Sequence, residues 1–151
     1  MHKTIISDTS CFIVLTNIDE LELLHKTYGQ ITTTVEVATE FGNILPEWVE
    51  IMSPNDKLRQ QILELQIDKG EASAIALALE MTDRTIILDD YKARQIAEKL
   101  GLDVTGTLGV IIKAKKKGII NSVKPYLQKL KSTNFRLTSE LEQEALKEAG
   151  E

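Results

Sequence analysis

The sequence predicts an α/β fold built on a mostly parallel sheet, and one segment carries most of that prediction. Residues 85–90 form a short apolar run that ends in two carboxylates. Apolar residues then recur at helical spacing as far as Leu100, and Gly101 suits the left-handed position that closes a helix. Residues 102–104 begin a further strand. Strand, helix and strand in this order form a βαβ unit, whose two strands lie parallel.

The first half of the chain repeats the arrangement of a buried strand that ends in an acid. The apolar run 4–7 ends at Asp8, and Thr9 and Ser10 are favourable N-cap residues for a following helix. Gly29 and Gly42 mark helix ends, and alternation with a period of two predicts a strand before Ser53. The expected elements are a strand at 4–7, helices at 11–15 and 20–27, a β-favouring run at 31–34, a helix at 35–41 and a strand at 48–52.

The second half is mainly helical. Residues 72–79 are apolar on nearly every side, which predicts a central, buried helix, and Glu71 lies in its first turn. An apolar helix follows Gly106 and ends in several lysines. Cations at the C-terminus of a helix interact favourably with the helix dipole. The expected elements are helices at 58–66, 68–79, 91–100, 107–117, 119–130 and 138–149. The whole chain is expected to form one domain, 1–151, with the helices of 119–151 packed on it.

Composition limits the function. The chain has 151 residues, a net charge of −5 and a single cysteine, Cys11. The acidic balance argues against a general polyanion-binding surface. One cysteine allows no internal disulfide and fits a reducing cytoplasm. No apolar run reaches the ~18 residues of a membrane helix, and the early strand leaves no room for a signal peptide.

Five carboxylates are expected near one edge of the sheet: Asp8, Glu40, Glu71, Asp89 and Asp90. Ligands of open α/β sheets bind beyond the carboxyl ends of the strands. Acids gathered there repel one another, and a hard divalent cation removes that repulsion. Mg²⁺ or Mn²⁺ so held can activate water against a phosphodiester. Alternatively, the same acids serve as helix caps, dipole partners and solvated surface charges.

Several motifs in order and spacing resemble the PIN-like superfamily, and in particular VapC-like toxins and a PIN-like subfamily formerly of unknown function. The resemblance covers nearly the whole chain. The segments that carry it are residues 7–10 (SDTS), 36–41 (EVATEF), 70–78 (GEASAIALA), 88–94 (LDDYKAR), 105–110 (TGTLGV), 117–120 (KGII) and 149–151 (AGE).

The resemblance implies a Rossmann-like three-layer α/β/α fold and Mg²⁺- or Mn²⁺-dependent RNA cleavage. Asp8, Glu40 and Asp90 would be catalytic. The implied metal ligands are Asp8, Glu40, Glu71, Asp89 and Asp90, with Thr9, Ser10, Thr105 and Thr107 in supporting positions. The chain departs from the VapC pattern at Ala93, where many relatives have a second Asp. A homodimer and a small antitoxin partner are also implied.

Other residues have both a functional and a structural interpretation. The lysines that close the helix after Gly106 either contact RNA phosphates or form a solvated helix end. They are Lys113, Lys115, Lys116 and Lys117. Tyr91 either stacks on a base or packs, and packing is favoured. Asp90 and Arg94 have ion-pair spacing on a helix. Cys11 is expected to be buried and inert, and His2 and His25 are assigned no role.

Three functions remain open from the sequence. The favoured one is a PIN-type ribonuclease that acts as the toxin of a toxin–antitoxin pair. The second is a catalytically weak or inactive PIN-like protein that binds nucleic acid or a protein partner, which Ala93 and the net negative charge favour. The third, a phospho-acceptor receiver domain, fits least well, because its paired acids should follow the first strand.

Overall fold

Five parallel strands form a single sheet in the computed structural model, which describes residues 3–151. The strand order across the sheet is β3-β2-β1-β4-β5, and each of the four pairings is parallel. The predicted α/β class with a central parallel sheet is therefore confirmed. The strands are β1 (Thr4–Ser7), β2 (Ile31–Thr34), β3 (Val49–Met52), β4 (Arg84–Ile87) and β5 (Asp103–Thr105).

Nine helices lie within the described residues, and they cover both faces of the sheet. They are α1 (Thr9–Asn17), α2 (Glu22–Tyr28), α3 (Val35–Phe41), α4 (Lys57–Leu63), α5 (Lys69–Leu79), α6 (Tyr91–Lys99), α7 (Thr107–Lys116), α8 (Lys124–Lys131) and α9 (Ser139–Glu148).

The three layers follow from the alternation of side chains along the central strands. Ile5 and Ile87 belong to a core shared with helices α1, α2, α7, α8 and α9, whereas Ile6 and Ile86 belong to a second core shared with α5 and α6. Neighbouring residues of a strand point to opposite faces of the sheet. The two central strands are thus apolar on both faces, as buried parallel strands require.

Helix α5 is the buried helix that the apolar run predicts. Residues 70–78 are all buried along it, and it packs against α3, α4 and the central strands. Cys11 is buried as well, and this burial raises the pKa of its thiol. Gly42 and Gly101 have positive φ angles of 76° and 84° at the ends of α3 and α6, as expected of residues without Cβ.

Two helix starts differ from the sequence expectation. Helix α1 begins at Thr9 with Asp8 as its N-cap residue, so Thr9 and Ser10 lie inside the first turn rather than capping a helix at 11–15. Helix α8 begins at Lys124 instead of residue 119. Pro125 in its first turn has a φ angle suited to a helix start and lacks an N–H, and Gly118 turns the chain with a φ of 76°.

None of the helices between residues 3 and 151 has the length and apolar character needed to cross a bilayer. His2 lies outside the described residues. His25 stacks on Trp48, with 5.2 Å between the ring centroids.

Candidate functional site

The predicted acids flank the point where the sheet changes direction. The chain builds β1, β2 and β3 toward one side and then crosses back to place β4 and β5 on the other side of β1. Ser7 pairs with Ile87 at the carboxyl ends of β1 and β4. Asp8 therefore follows one strand, and Asp89 and Asp90 follow the adjacent one. A switch point of this kind is the usual ligand site of an open α/β sheet.

Asp8 is buried without the hydrogen bonds that a buried carboxylate needs. Its exposure is 3%, and although it is the N-cap residue of α1, its side chain makes no capping bond. Its Oδ1 atom has no hydrogen-bond partner in the part of the chain that is described. Burial raises the pKa of Asp8 to about 8; the backbone N–H of Thr9 opposes this rise, and the charges of Glu71, Asp68 and Glu40 add to it.

The side-chain oxygens of Glu40, Thr9 and Asp8 all lie close to Gly70. The Thr9 hydroxyl donates a hydrogen bond to Oε1 of Glu40. A Cβ atom at Gly70 would lie 2.8 Å from Glu40 Oε1, 3.4 Å from Thr9 Oγ1 and 3.5 Å from Asp8 Oδ1. Three oxygens, two from the start of α1 and one from α3, thus converge on one point, and the absent side chain of Gly70 leaves that point open. We call this space the Gly70 pocket.

Glu71 adds a further acid beside the Gly70 pocket while it caps its own helix. Glu71 N donates to Asp68 Oδ1 at 2.8 Å, and Asp68 N donates to Glu71 Oε1 at 3.3 Å. This reciprocal pair is a capping box. Burial raises the pKa of Glu71 to about 7, and the charges of Asp68, Asp90 and Glu40 contribute in the same direction. Glu71 is thus both a cap and a member of the acid cluster.

The two acids after β4 have different environments. Asp89 accepts two hydrogen bonds from Thr107, one from the backbone N–H at 2.8 Å and one from the hydroxyl at 2.6 Å. Asp90 accepts one, from Ala93 N at 3.0 Å. Asp89 therefore holds the start of α7, whereas Asp90 is exposed and keeps an oxygen free of protein contacts in residues 3–151.

Arg94 does not pair with Asp90, although their spacing allows it. Its Nη1 atom donates to Leu88 O at 2.9 Å, and no ion pair between the two residues forms in the described chain. A Cβ at Gly106 would lie 2.6 Å from Arg94 Nη1 and 2.8 Å from Asp89 Oδ1. The glycine is what allows the arginine and Asp89 to approach the turn before α7.

A cleft of about 1070 Å³ lies beside Glu71, Asp89 and Asp90 and extends toward the C-terminal helices. Ser10, Thr105 and Gly106 contribute to its lining, and Thr107 lies buried beneath. Glu40 and Gly70 line a second cavity of about 660 Å³. Sequence reasoning missed several residues of the site. Asp68 was visible as a possible capping box with Glu71, but Gly70, Arg136, Glu144 and Glu148 have no local signal that places them there.

The four lysines near the end of α7 lie apart from this cleft lining. Lys115 Nζ donates to Ala149 O at 2.9 Å, and Lys117 Nζ donates to Thr27 O at 2.5 Å. Both thus hold elements of the fold together. Lys113 and Lys116 are exposed, and both interpretations, a phosphate contact and a solvated helix end, stay open for them.

The donor set fits a hard divalent cation. Within residues 3–151, no three His, Cys, Asp or Glu side chains are already gathered around one point. The structure instead brings together two carboxylates and a hydroxyl at the Gly70 pocket, with an unpartnered Asp8 oxygen facing it. Oxygen ligands and clustered negative charge are what Mg²⁺ and Mn²⁺ require, and both ions keep water ligands where the protein provides few.

The comparison with known proteins agrees with the fold. A family model described as a PIN domain matches residues 4–151. A search of the curated proteins finds no match to the chain. PIN domains are generally nucleases and typically use divalent metals. On the extent of the family match and the parallel five-stranded sheet, the chain belongs to the PIN domain family.

Proposed function

We propose that this chain is a metal-dependent endoribonuclease of the VapC toxin type, which hydrolyses RNA phosphodiesters. The observation that carries the proposal is the Gly70 pocket, where Asp8 Oδ1 and Glu40 Oε1 both lie within 3.5 Å of one open point. A protein has little reason to bury an unpartnered carboxylate oxygen there unless a cation neutralises it.

Each acid has a distinct task in this proposal. Asp8 and Glu40 would hold Mg²⁺ or Mn²⁺, and Thr9 orients Glu40 through its hydroxyl. The charge of Asp90 contributes to the raised pKa of Glu71, so the two carboxylates lie near each other, and they would complete the ligand shell directly or through water. When bound, such an ion lowers the pKa of a water ligand and stabilises charge on the phosphate oxygens.

Asp89 would act by holding the frame of the site. Both of its oxygens bind Thr107 at the start of α7, which keeps Thr105 and Gly106 at the edge of the cleft. Ser10 lines the same cleft one residue after Thr9. These residues position the turn against which a phosphate would rest, and they need not touch the ion.

A protein partner is also part of the proposal. Large apolar side chains are exposed on α4, beyond its end and on the edge strand β3, and exposed apolar side chains in such numbers are common at protein contacts. They are Ile51 (49%), Met52 (37%), Leu58 (66%), Ile62 (56%) and Leu65 (84%). A second copy of the chain or a small antitoxin would cover this surface. A cytoplasmic location fits an RNA substrate and a lone buried thiol.

The experiment is cleavage of a mixed RNA pool by the purified protein, with Mn²⁺ and with EDTA. Asp8→Asn and Glu40→Gln should each lower the Mn²⁺-dependent rate by at least about a hundredfold, since each removes a metal ligand. Glu98→Gln is the matched control. Glu98 is an exposed glutamate on α6, and it lines neither the cleft nor the cavity that holds Glu40 and Gly70.

The alternative is a PIN-like protein that binds nucleic acid without cutting it. Two observations favour it: Ala93 in place of a further Asp, and the absence of a preassembled group of three ligands in the described residues. RNA binding without Mn²⁺-dependent cleavage, by protein shown to bind Mn²⁺ and to be free of any antitoxin, would select this alternative. Cleavage that persists in EDTA would contradict both.

A further inference from the structure

Tyr91 lies at the mouth of the acidic cleft with 73% of its surface exposed. The packing role favoured from the sequence is therefore wrong. Tyr91 is the first residue of α6, and its ring belongs to neither of the two hydrophobic cores on the faces of the sheet. Its hydroxyl accepts a hydrogen bond from Gln95 Nε2 at 2.8 Å, one turn further along the helix. This bond restrains the ring, which directly follows the proposed metal ligand Asp90.

The cleft offers little general attraction for a polyanion. Two guanidinium groups, those of Arg94 and Arg136, are outnumbered by the carboxylates that line the cleft, namely Asp68, Glu71, Asp89, Asp90, Glu144 and Glu148. A bound cation would offset only part of this charge. Contacts that do not depend on charge must then supply much of the affinity for RNA. Stacking of a base on an aromatic ring is such a contact, and it contributes roughly 1–3 kcal/mol per base.

Of the two arginines, Arg136 is the one free to bind a ligand. Arg94 Nη1 is engaged with Leu88 O, whereas Arg136 is exposed and has neither a hydrogen bond nor an ion pair within residues 3–151. The turn that carries it is ordered. Thr133 Oγ1 donates to Leu130 O at 2.7 Å, and Phe135 N donates to Thr133 Oγ1 at 3.1 Å.

We propose that Tyr91 and Arg136 form a strand-positioning site for single-stranded RNA in this cleft. Tyr91 stacks on an unpaired base, and Arg136, which lines the same cleft, binds a phosphate. Bases of a duplex are already stacked on both faces, so only a strand with an unstacked base can use the ring. The inference rests on the proposed function, and it assigns Tyr91 and Arg136 the task of holding the strand.

The test measures binding separately from cutting. Fluorescence anisotropy is recorded with an unstructured, end-labelled ten-nucleotide RNA and with a blunt hairpin of the same composition. The protein carries Asp8→Asn, which removes the proposed chemistry, and Mg²⁺ is present throughout. Three substitutions are added to the Asp8→Asn protein one at a time: Tyr91→Ala, Tyr91→Phe and Lys92→Ala. Lys92→Ala is the matched control, because Lys92 is an exposed neighbour on α6 that does not line the cleft.

Tyr91→Ala should weaken binding of the single strand about tenfold, in line with the stacking energy of one base. Tyr91→Phe keeps the ring and should stay within about twofold, as should Lys92→Ala. Binding of the hairpin should not respond to Tyr91. Arg136→Ala should lower the slope of log K against log salt by about 1. Because both side chains are exposed, the variants should fold, which thermal melts can check.

Three results would overturn the inference: unchanged single-strand affinity in Tyr91→Ala, equal losses for strand and hairpin, or no RNA binding by the parent protein. Its failure is distinguishable from failure of the proposed function. Binding that depends on Tyr91 without any Mn²⁺-dependent cutting by the wild type would refute the nuclease alone. Cutting by a Tyr91→Ala protein with unchanged affinity would refute the positioning site alone.

Discussion

Asp8→Asn should stabilise the metal-free protein at pH 7, and its stability relative to the wild type should grow with pH. Asp8 has a pKa of about 8 in the folded chain against an ordinary value of 3.8, chiefly because it is buried. Between these two values the folded state holds a proton that the unfolded state has lost. Unfolding free energy therefore falls as pH rises through this window. Asparagine has the same shape and no titratable proton, so it escapes this loss.

The size of the effect follows from the same window. The free energy of unfolding of the wild type falls by about 1.4 kcal/mol for each pH unit above 3.8. At pH 7, about three units above that value, the loss is about 4 kcal/mol. An unpartnered buried amide would offset part of this by about 1–3 kcal/mol at every pH. The slope is thus the cleaner quantity. The difference in unfolding free energy between variant and wild type should rise by about 1.4 kcal/mol per pH unit from pH 5 to pH 7.

The assay is urea unfolding in EDTA at pH 5, 6 and 7. Asp103→Asn, at a carboxylate whose side chain is 76% exposed, controls for the loss of one negative charge. A flat difference across this range would refute the reasoning, because it would mean that Asp8 does not hold its proton in the folded state. Adding Mn²⁺ should stabilise the wild type more than Asp8→Asn, since only a ligand that binds the folded state shifts the equilibrium.

Two further changes test the surroundings of the site. Thr107→Ala removes the hydroxyl bound to Asp89, and it should lower the free energy of unfolding in urea by about 1.5–3 kcal/mol. Thr107→Ser keeps a hydroxyl and should lose little of this stability. Equal stability of the wild type and both variants would contradict the role given to Asp89. Glu151 has a pKa lowered from 4.5 to about 2, chiefly by the hydrogen bond from Ser122 Oγ and then by those from Val123 N at 2.8 Å and Lys115 Nζ at 3.0 Å. The stabilisation by ionised Glu151 is present above pH 4.5 and is lost as pH falls toward 2. Glu151→Gln should therefore lower the Tm by more at pH 7 than at pH 3. A Tm difference that does not depend on pH would contradict this role of Glu151.

The sequence predicts the fold well because each signal is local. The apolar run through α5 predicts a helix that must be buried, and the structure buries all of residues 70–78. The runs before Asp8 and Asp89 are short and apolar on both faces, which is typical of central parallel strands. Gly42 and Gly101 mark helix ends through a backbone conformation that other residues rarely adopt.

The arrangement of the candidate site depends on contacts that no local pattern encodes. Asp8, Glu40 and Gly70 come from three elements, and their meeting requires the sheet order and the packing of α5 against α3. The sequence predicts that acids lie near one edge, but it does not predict that Gly70 opens the space between two of them. The roles of these acids as metal ligands stay predictions.

The exposed surface was the hardest part to predict. Tyr91 is apolar enough to favour packing, yet it lies at the first position of α6, where the helix faces solvent. Arg136 is in an irregular segment whose path depends on how α8 and α9 pack. Lys115 and Lys117 look like free cations in a lysine-rich run, but their positions let them reach backbone carbonyls of other elements.

Gly70→Ala tests the central claim most directly, because it keeps every carboxylate and closes only the space between them. The new Cβ would lie 2.8 Å from Glu40 Oε1, so that carboxylate must move out of its present position. The helix should tolerate alanine better than glycine. The measurement is the Mn²⁺-dependent rate of RNA cleavage by wild type and Gly70→Ala under identical conditions. We expect cleavage by the wild type and a loss of at least about tenfold in the variant. Equal rates in the two proteins would contradict the claim that a cation binds at the Gly70 pocket.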